Sequence, residues 1–107
     1  MATSKEFELI YDSQVKSHLK AIARKYHLLI RHTMEGLLSY EPGVETRNRK
    51  PLLRPVFLDA TWELRFGSEN QFRVFYKIND DAQKVYILAI GVKLKERLLI
   101  GKEVMQI

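Results

Sequence analysis

The 107-residue chain contains no cysteine, so neither disulfides nor a thiolate metal cage supports its fold, and a reducing, cytoplasmic setting is expected. No apolar run approaches the ~20 residues of a membrane span. The N-terminal "MATSKEFELIYD" also lacks the basic-then-apolar layout of a secretory leader. Five scattered glycines build no phosphate-cradling loop, and no Ser-His-Asp or Cys-His set is detectable. His18, His27 and His32 are spaced by nine and five residues, not by the i, i+4 of a helical metal pair. They read as packing or surface residues, and neither a metal nor another cofactor is expected. Internal repeats and low-complexity tracts are missing as well.

What remains is an ordinary globular balance, 46% apolar and 29% charged, in a length that suits one domain spanning residues 1–107. Charge is unevenly placed. Residues 1–46 carry six basic and six acidic side chains, whereas residues 47–107 carry twelve basic and seven acidic ones, so the entire net charge of +5 lies in the second half. An excess of that sign suits an anionic partner, and nucleic acid is the commonest.

"EFELIYD" alternates at Phe7, Leu9 and Tyr11 and predicts an N-terminal strand. Apolar residues at Val15, Leu19, Ile22, Tyr26, Leu29, Leu37 and Leu38 then follow helical spacing until Pro42 and Gly43 stop it. One straight helix from Ser13 to Tyr40 would run about 42 Å at 1.5 Å per residue. A domain this small is only about 33 Å across, so a break near Lys25 to Leu28 and a two-helix hairpin are expected. "ETRNRKPLLRP" shows no period and reads as a basic loop. "ATWELRF", "QFRVFYKI" and "KVYILAIGVK" read as an antiparallel three-stranded meander forming one small sheet, the last strand apolar enough to be covered on both faces. The expected class is α+β.

Alternation places Trp62, Leu64 and Phe66, and Phe72, Val74, Tyr76 and Ile78, on the core face. If Gly67 to Gln71 connect the two strands, Phe66 meets Phe72, Leu64 meets Val74, and Arg65 lies across from Arg73 on the other face. Like charges directly opposite are destabilising, so an anion should offset them. The candidates are Glu63, two residues along on the same face, Glu69 in the turn, or a bound phosphate, which arginine's planar fork matches well. The fourth strand brings Lys93, followed by Lys95 and Arg97, to the same end of the sheet. The loop with Arg47, Arg49, Lys50 and Arg54 enters beside it, and Phe75 shares the arginines' face, where it either packs or stacks on a base.

"WELRFGSENQFRVFYKIND" followed by "KVYILAIGVKLKERLLIG" resembles the RelE/ParE superfamily of toxins from bacterial type II toxin–antitoxin systems. The likeness lies in an arginine before a "VFY" strand and a final "ILAIG" strand with a basic turn; it spans essentially the whole chain. The "ETRNRKPL" loop is similar to that of a branch described as plasmid-stabilisation proteins. The resemblance implies a metal-independent, ribosome-dependent endoribonuclease that cuts mRNA by attack of a ribose 2′-hydroxyl on the adjacent phosphate and so inhibits translation. Its cationic positions fall on Arg65, Arg73 and Lys93: Arg73 to clamp the phosphate, Arg65 to stabilise the phosphorane, Lys93 to move a proton. A cognate antitoxin is the implied partner, with no membrane involved. The ParE branch shares the fold but poisons DNA gyrase, and a non-catalytic RNA- or partner-binding module is a third alternative. The chain departs from the RelE pattern at Glu63, where RelE has a lysine, at Val92, where many relatives are basic, and at Leu98 and Leu99, where RelE places a tyrosine.

Overall fold

The computed structural model describes residues 6–54 and 57–105. Residues 1–5 of the N-terminal stretch and Pro55 of the basic loop lie outside them. The elements run β1 (Glu8–Tyr11), α1 (Val15–Lys20), α2 (His27–Leu38), β2 (Arg49–Pro51), β3 (Trp62–Phe66), β4 (Phe72–Asn79), β5 (Lys84–Leu94), β6 (Arg97–Ile100) and β7 (Glu103–Met105). The class is α+β, but the expected three-stranded meander is corrected to one sheet of seven strands, ordered β2-β3-β4-β5-β6-β7 with β1 added parallel to β5. Two of the strands that sequence patterning missed flank Gly101, whose φ of 65° makes the tight turn between β6 and β7. The third, β2, is three residues long and includes Pro51, which an edge strand tolerates because it need not donate on its open side. It falls within the segment read as a structureless loop.

The helical region is also less regular than a hairpin of two equal helices. α1 has only six residues, Ala23 is extended (φ −53°, ψ 134°), and a 3₁₀ turn at Arg24–Tyr26 leads into α2, so the break starts earlier than predicted and overlaps the expected position at Lys25 and Tyr26. His27 closes this corner, its Nε2 lying 2.9 Å from the Ile22 carbonyl. The detour buries Ile22 and lays Tyr26 against Phe72, ring centroids 5.1 Å apart. Among the described residues no helix is long and apolar enough to cross a membrane.

One face of the sheet packs on the helices: Ile30, Met34 and Leu38 of α2 meet Leu64, Val74, Tyr76, Val85, Ile87 and Ile90. Each such large aliphatic contributes about 1.5–3 kcal/mol by leaving water. Two polar ties close the edge of this layer. The buried Tyr76 hydroxyl donates to the Pro42 carbonyl at 2.7 Å, and burial pushes its pKa up, so it stays a donor. Arg49 opposes Leu64, shares its inward face, and donates to the Leu37 and Val44 carbonyls, which ties β2 to the negative C-terminal end of α2.

The opposite face carries a smaller cluster of Ala60, Phe75, Leu88, Ala89, Leu98 and Ile100. β5 is therefore covered on both sides, as its apolar run implies. A bulge opposite Phe75 and Tyr76 inserts Leu88: Phe75 pairs with Ala89 but Tyr76 with Ile87. Odd-numbered Val85 and Ile87 face the helices before it, and even-numbered Ile90 and Val92 after it.

The far edge of β5 is shared, with β1 alongside Lys84 to Ile87 and β6 alongside Gly91 to Leu94. In the gap, the Ile90 N–H donates to Nδ1 of the buried His18 at 3.3 Å. This ring is therefore neutral, with its proton on Nε2. Burial lowers the His18 pKa, against the opposite pull of Asp12 and Glu103. The unfolded chain takes up a proton below about pH 6.5 and the folded ring resists it. His18 thus contributes stability above that pH that is lost as pH falls through the folded pKa. Urea midpoints compared at pH 8 and pH 5.5 should drop for the native chain and drop less for His18→Gln, whose amide oxygen keeps the acceptor. An equal drop in both would contradict this role.

Candidate functional site

The β3–β4 hairpin has the register that alternation predicts, with Arg65 opposite Arg73, Leu64 opposite Val74 and Trp62 opposite Tyr76. Its turn is strained. Gly67 sits at φ 85°, ψ −178°, a region open essentially to glycine alone, and a Cβ there would come within 2.6 Å of the Phe72 ring. Glu69 and Asn70 both adopt the left-handed conformation, for which asparagine is the better suited.

Glu63 is the anion between the arginines. Its Oε1 accepts from Arg65 Nε at 2.7 Å and its Oε2 from Arg73 Nη1 at 3.3 Å. Glu63 and Arg73 are buried, while the Arg65 side chain keeps 38% of its exposure. Arg73 also donates from Nε to the Asn70 carbonyl at 2.9 Å, and its Nη2 has no hydrogen-bond partner among the described residues. Burial lowers the Arg73 pKa and Glu63 pulls it back up; a guanidinium in this position remains a cation. Of the three offsetting anions the sequence offered, the structure places Glu63 in contact with both arginines.

Lys93 reaches the same face only because of the bulge at Leu88. Arg73 opposes Gly91, so Gly91 and Lys93 share the arginines' side of the sheet, whereas an unbroken alternation from Val85 would turn Lys93 toward the helices. The Lys93 N–H donates to the Gln71 carbonyl at 2.7 Å, which locks β5 to the hairpin turn. Arg73, Lys93 and Lys95 together line a depression of about 300 Å³, with Ser68, Glu69 and Gln71 on its rim. Three cations against the single carboxylate of Glu69, beside a hydroxyl and an amide, suit a phosphate or another oxyanion. Among the described residues no group of His, Cys, Asp or Glu is arranged to hold a metal.

The remaining candidates divide. Arg47, Lys50 and Arg54 are exposed beside β3, and Lys50 opposes Glu63 and shares its face. Lys95 and Arg97 are exposed at the β5–β6 turn. These residues bracket the arginines across three strand spacings, roughly 14 Å. Two expected contacts are corrected: Phe75 is 0% exposed and packs in the second cluster, leaving no face for a base, and Arg49 is spent inside on α2. Sequence reasoning missed Asn70, although an asparagine in a hairpin turn is the ordinary sign of a left-handed residue. Of the departures from the RelE pattern, Val92 faces the helix-side core, Leu99 opposes it on β6, and Leu98 is buried.

Residues 4–93 match the family model described as ParE toxin of type II toxin-antitoxin system, parDE. Among solved structures the chain is similar to the toxin-antitoxin complex RelBE2 from Mycobacterium tuberculosis. That match has a TM-score of 0.69 and 24% identity over 87% of this chain and 98% of that one, a likeness of fold. No curated protein matches the sequence.

Proposed function

The chain belongs to the ParE toxin family of type II toxin–antitoxin systems, and from the geometry of its cationic depression we propose that it is a toxin acting on RNA, a metal-independent endoribonuclease that inhibits translation and is silenced by a cognate antitoxin. One observation carries this reading. Arg73 is held from behind by Glu63 and Asn70 while it lines, with Lys93 and Lys95, an open cationic depression. An arginine pinned in that way loses little freedom when it binds a phosphate.

In this reading the RNA phosphate rests on the free edge of Arg73, and the ribosome presents the message. The 2′-hydroxyl attacks the adjacent phosphorus, giving a 2′,3′-cyclic phosphate and releasing the 5′-oxygen. Arg73 and Arg65 stabilise the charge on the phosphorane, and Lys93 carries a proton between the entering and leaving oxygens. Arg47, Lys50, Arg54, Lys95 and Arg97 contact the flanking backbone without reading sequence. The antitoxin masks this basic face and adds an extended segment and a helix to an exposed sheet edge or apolar groove.

Expression of the toxin alone tests the reading: message fragments cut at a fixed codon position are expected, with intact messages and a DNA-damage response refuting it. Arg73→Lys keeps a charge for Glu63 but cannot reproduce the fork, and should slow cleavage on the order of 10²-fold. Undiminished growth arrest in folded Arg73→Lys would remove Arg73 from the chemistry. A second reading, inhibition of DNA gyrase, is favoured by the Glu63 carboxylate, which cancels one of the two arginine charges and takes one N–H of each guanidinium. Supercoiling by purified gyrase, inhibited by this toxin while RNA stays intact, is its expected signature.

A further inference from the structure

We infer that the strained 67–71 turn is a positioning device for the cationic site, with Asn70 as its positioning residue. The inference deepens the RNA-directed reading and rests on it for its functional arm only.

Two successive main-chain carbonyls of this turn hold the Arg73 side chain and the main chain of Lys93. The Asn70 carbonyl accepts from Arg73 Nε at 2.9 Å, and the next carbonyl, Gln71, accepts from the Lys93 main chain at 2.7 Å. Successive carbonyls of one strand point to opposite sides. Here consecutive left-handed residues, Glu69 at φ 53° and Asn70 at φ 54°, re-aim the chain so that one carbonyl serves a side chain on β4 and the next serves β5. Glu63 then fixes the other end of the Arg73 guanidinium at Nη1, which leaves Nη2 for an incoming anion. The turn's own side chains Ser68, Glu69 and Gln71 line the same depression, so its conformation sets the Arg73 guanidinium, the strand that carries Lys93, and the rim. Nothing in the core requires this geometry: residues 67–70 are exposed, and a relaxed two-residue turn would close the same strands at lower cost. Strain maintained at an exposed turn beside a cation pair is the pattern of a functional constraint.

Asn70→Gly keeps the left-handed conformation and its carbonyl, whereas Asn70→Val disfavours both. In ¹⁵N NMR spectra of the purified toxin, the Arg73 Nε–H should give a slowly exchanging signal in the native chain and in Asn70→Gly, and lose that protection in Asn70→Val. Binding of a single-stranded oligoribonucleotide should weaken about tenfold in Asn70→Val, the loss of one well-placed charge-assisted contact. The slope of log affinity against log salt should fall by about one, and Asn70→Gly should restore both. If Asn70→Val does not fold, Asn70→Ala reads the same quantities. An Arg73 signal and salt slope unchanged in the folded variant would overturn the inference. Arg73 protection that depends on Asn70, in a toxin that neither binds the oligoribonucleotide nor cuts message on added ribosomes, would leave the positioning in place and refute the RNA reading.

Discussion

Glu63→Ala is expected to destabilise the fold by about 3 kcal/mol, the low end for removing one partner of a buried ion pair. The variant leaves Arg65 directly opposite Arg73, two like charges in register, with Arg73 buried and held only by the Asn70 carbonyl. The low end applies because Arg65 is partly exposed and Arg73 opens onto a wet depression, so water repays part of the loss. In a domain of this size the change corresponds to a melting temperature lower by roughly 12 °C or more. The same geometry predicts a rescue. Inorganic phosphate should raise the melting temperature of Glu63→Ala more than that of the native chain, because an anion that binds the folded state replaces the missing carboxylate. A loss under 1 kcal/mol, or no difference in the response to phosphate, would mean that the carboxylate does not neutralise the pair.

Gly91→Ala carries the second large effect, about 2–3 kcal/mol, because the added methyl overpacks a site with no room. Gly91 pairs with Arg73 on one side and Ile100 on the other. A Cβ there would lie 2.8 Å from the Leu99 carbonyl oxygen and 3.0 Å from Ile100 Cγ1. The nearest obstacle is main chain, so β6 has to move and take Leu98 and Ile100 out of the second core. Chemical denaturation measures the loss directly. A variant within 0.5 kcal/mol of the native chain, the ordinary range for surface changes, would show that β6 gives way freely. The displaced strand also borders Lys93 through its pairing with Leu98, so phosphate affinity should fall with stability.

The hairpin that carries the arginines was legible residue by residue, because two amphipathic strands and a short turn admit only even shifts of register. Glu63 was legible as a candidate for the same reason, since i and i+2 share a face. The position of Lys93 was not. Its strand is apolar at nearly every residue from Val85 to Val92, so period-two analysis has no contrast to work with, and the phase change at Leu88 leaves no trace in the pattern. β2 and β7 escaped because three residues are too few for a period, and β6 because Leu98, Leu99 and Ile100 run apolar without alternation. β1 was recognised as a strand, but its parallel pairing with β5, some 76 positions away, is a long-range contact that no local signal encodes. Arg49 and Phe75 show the converse limit. Their residue types suit RNA, yet which side of the backbone meets another layer is decided by elements distant in the chain.

The role of β5 as the strand shared by β1, β4 and β6 bears on how the chain emerges during synthesis. In a chain that ends at Asp81 and has left the ribosome, the arginine hairpin can form, but β1 has no partner, the helices have only part of the surface they cover, and Lys93 does not exist. Contacts of such long sequence separation form late. The cationic site is therefore completed only after β5 is made and docked, so that a truncated translation product ending in the β4–β5 turn should be harmless to the cell that makes it.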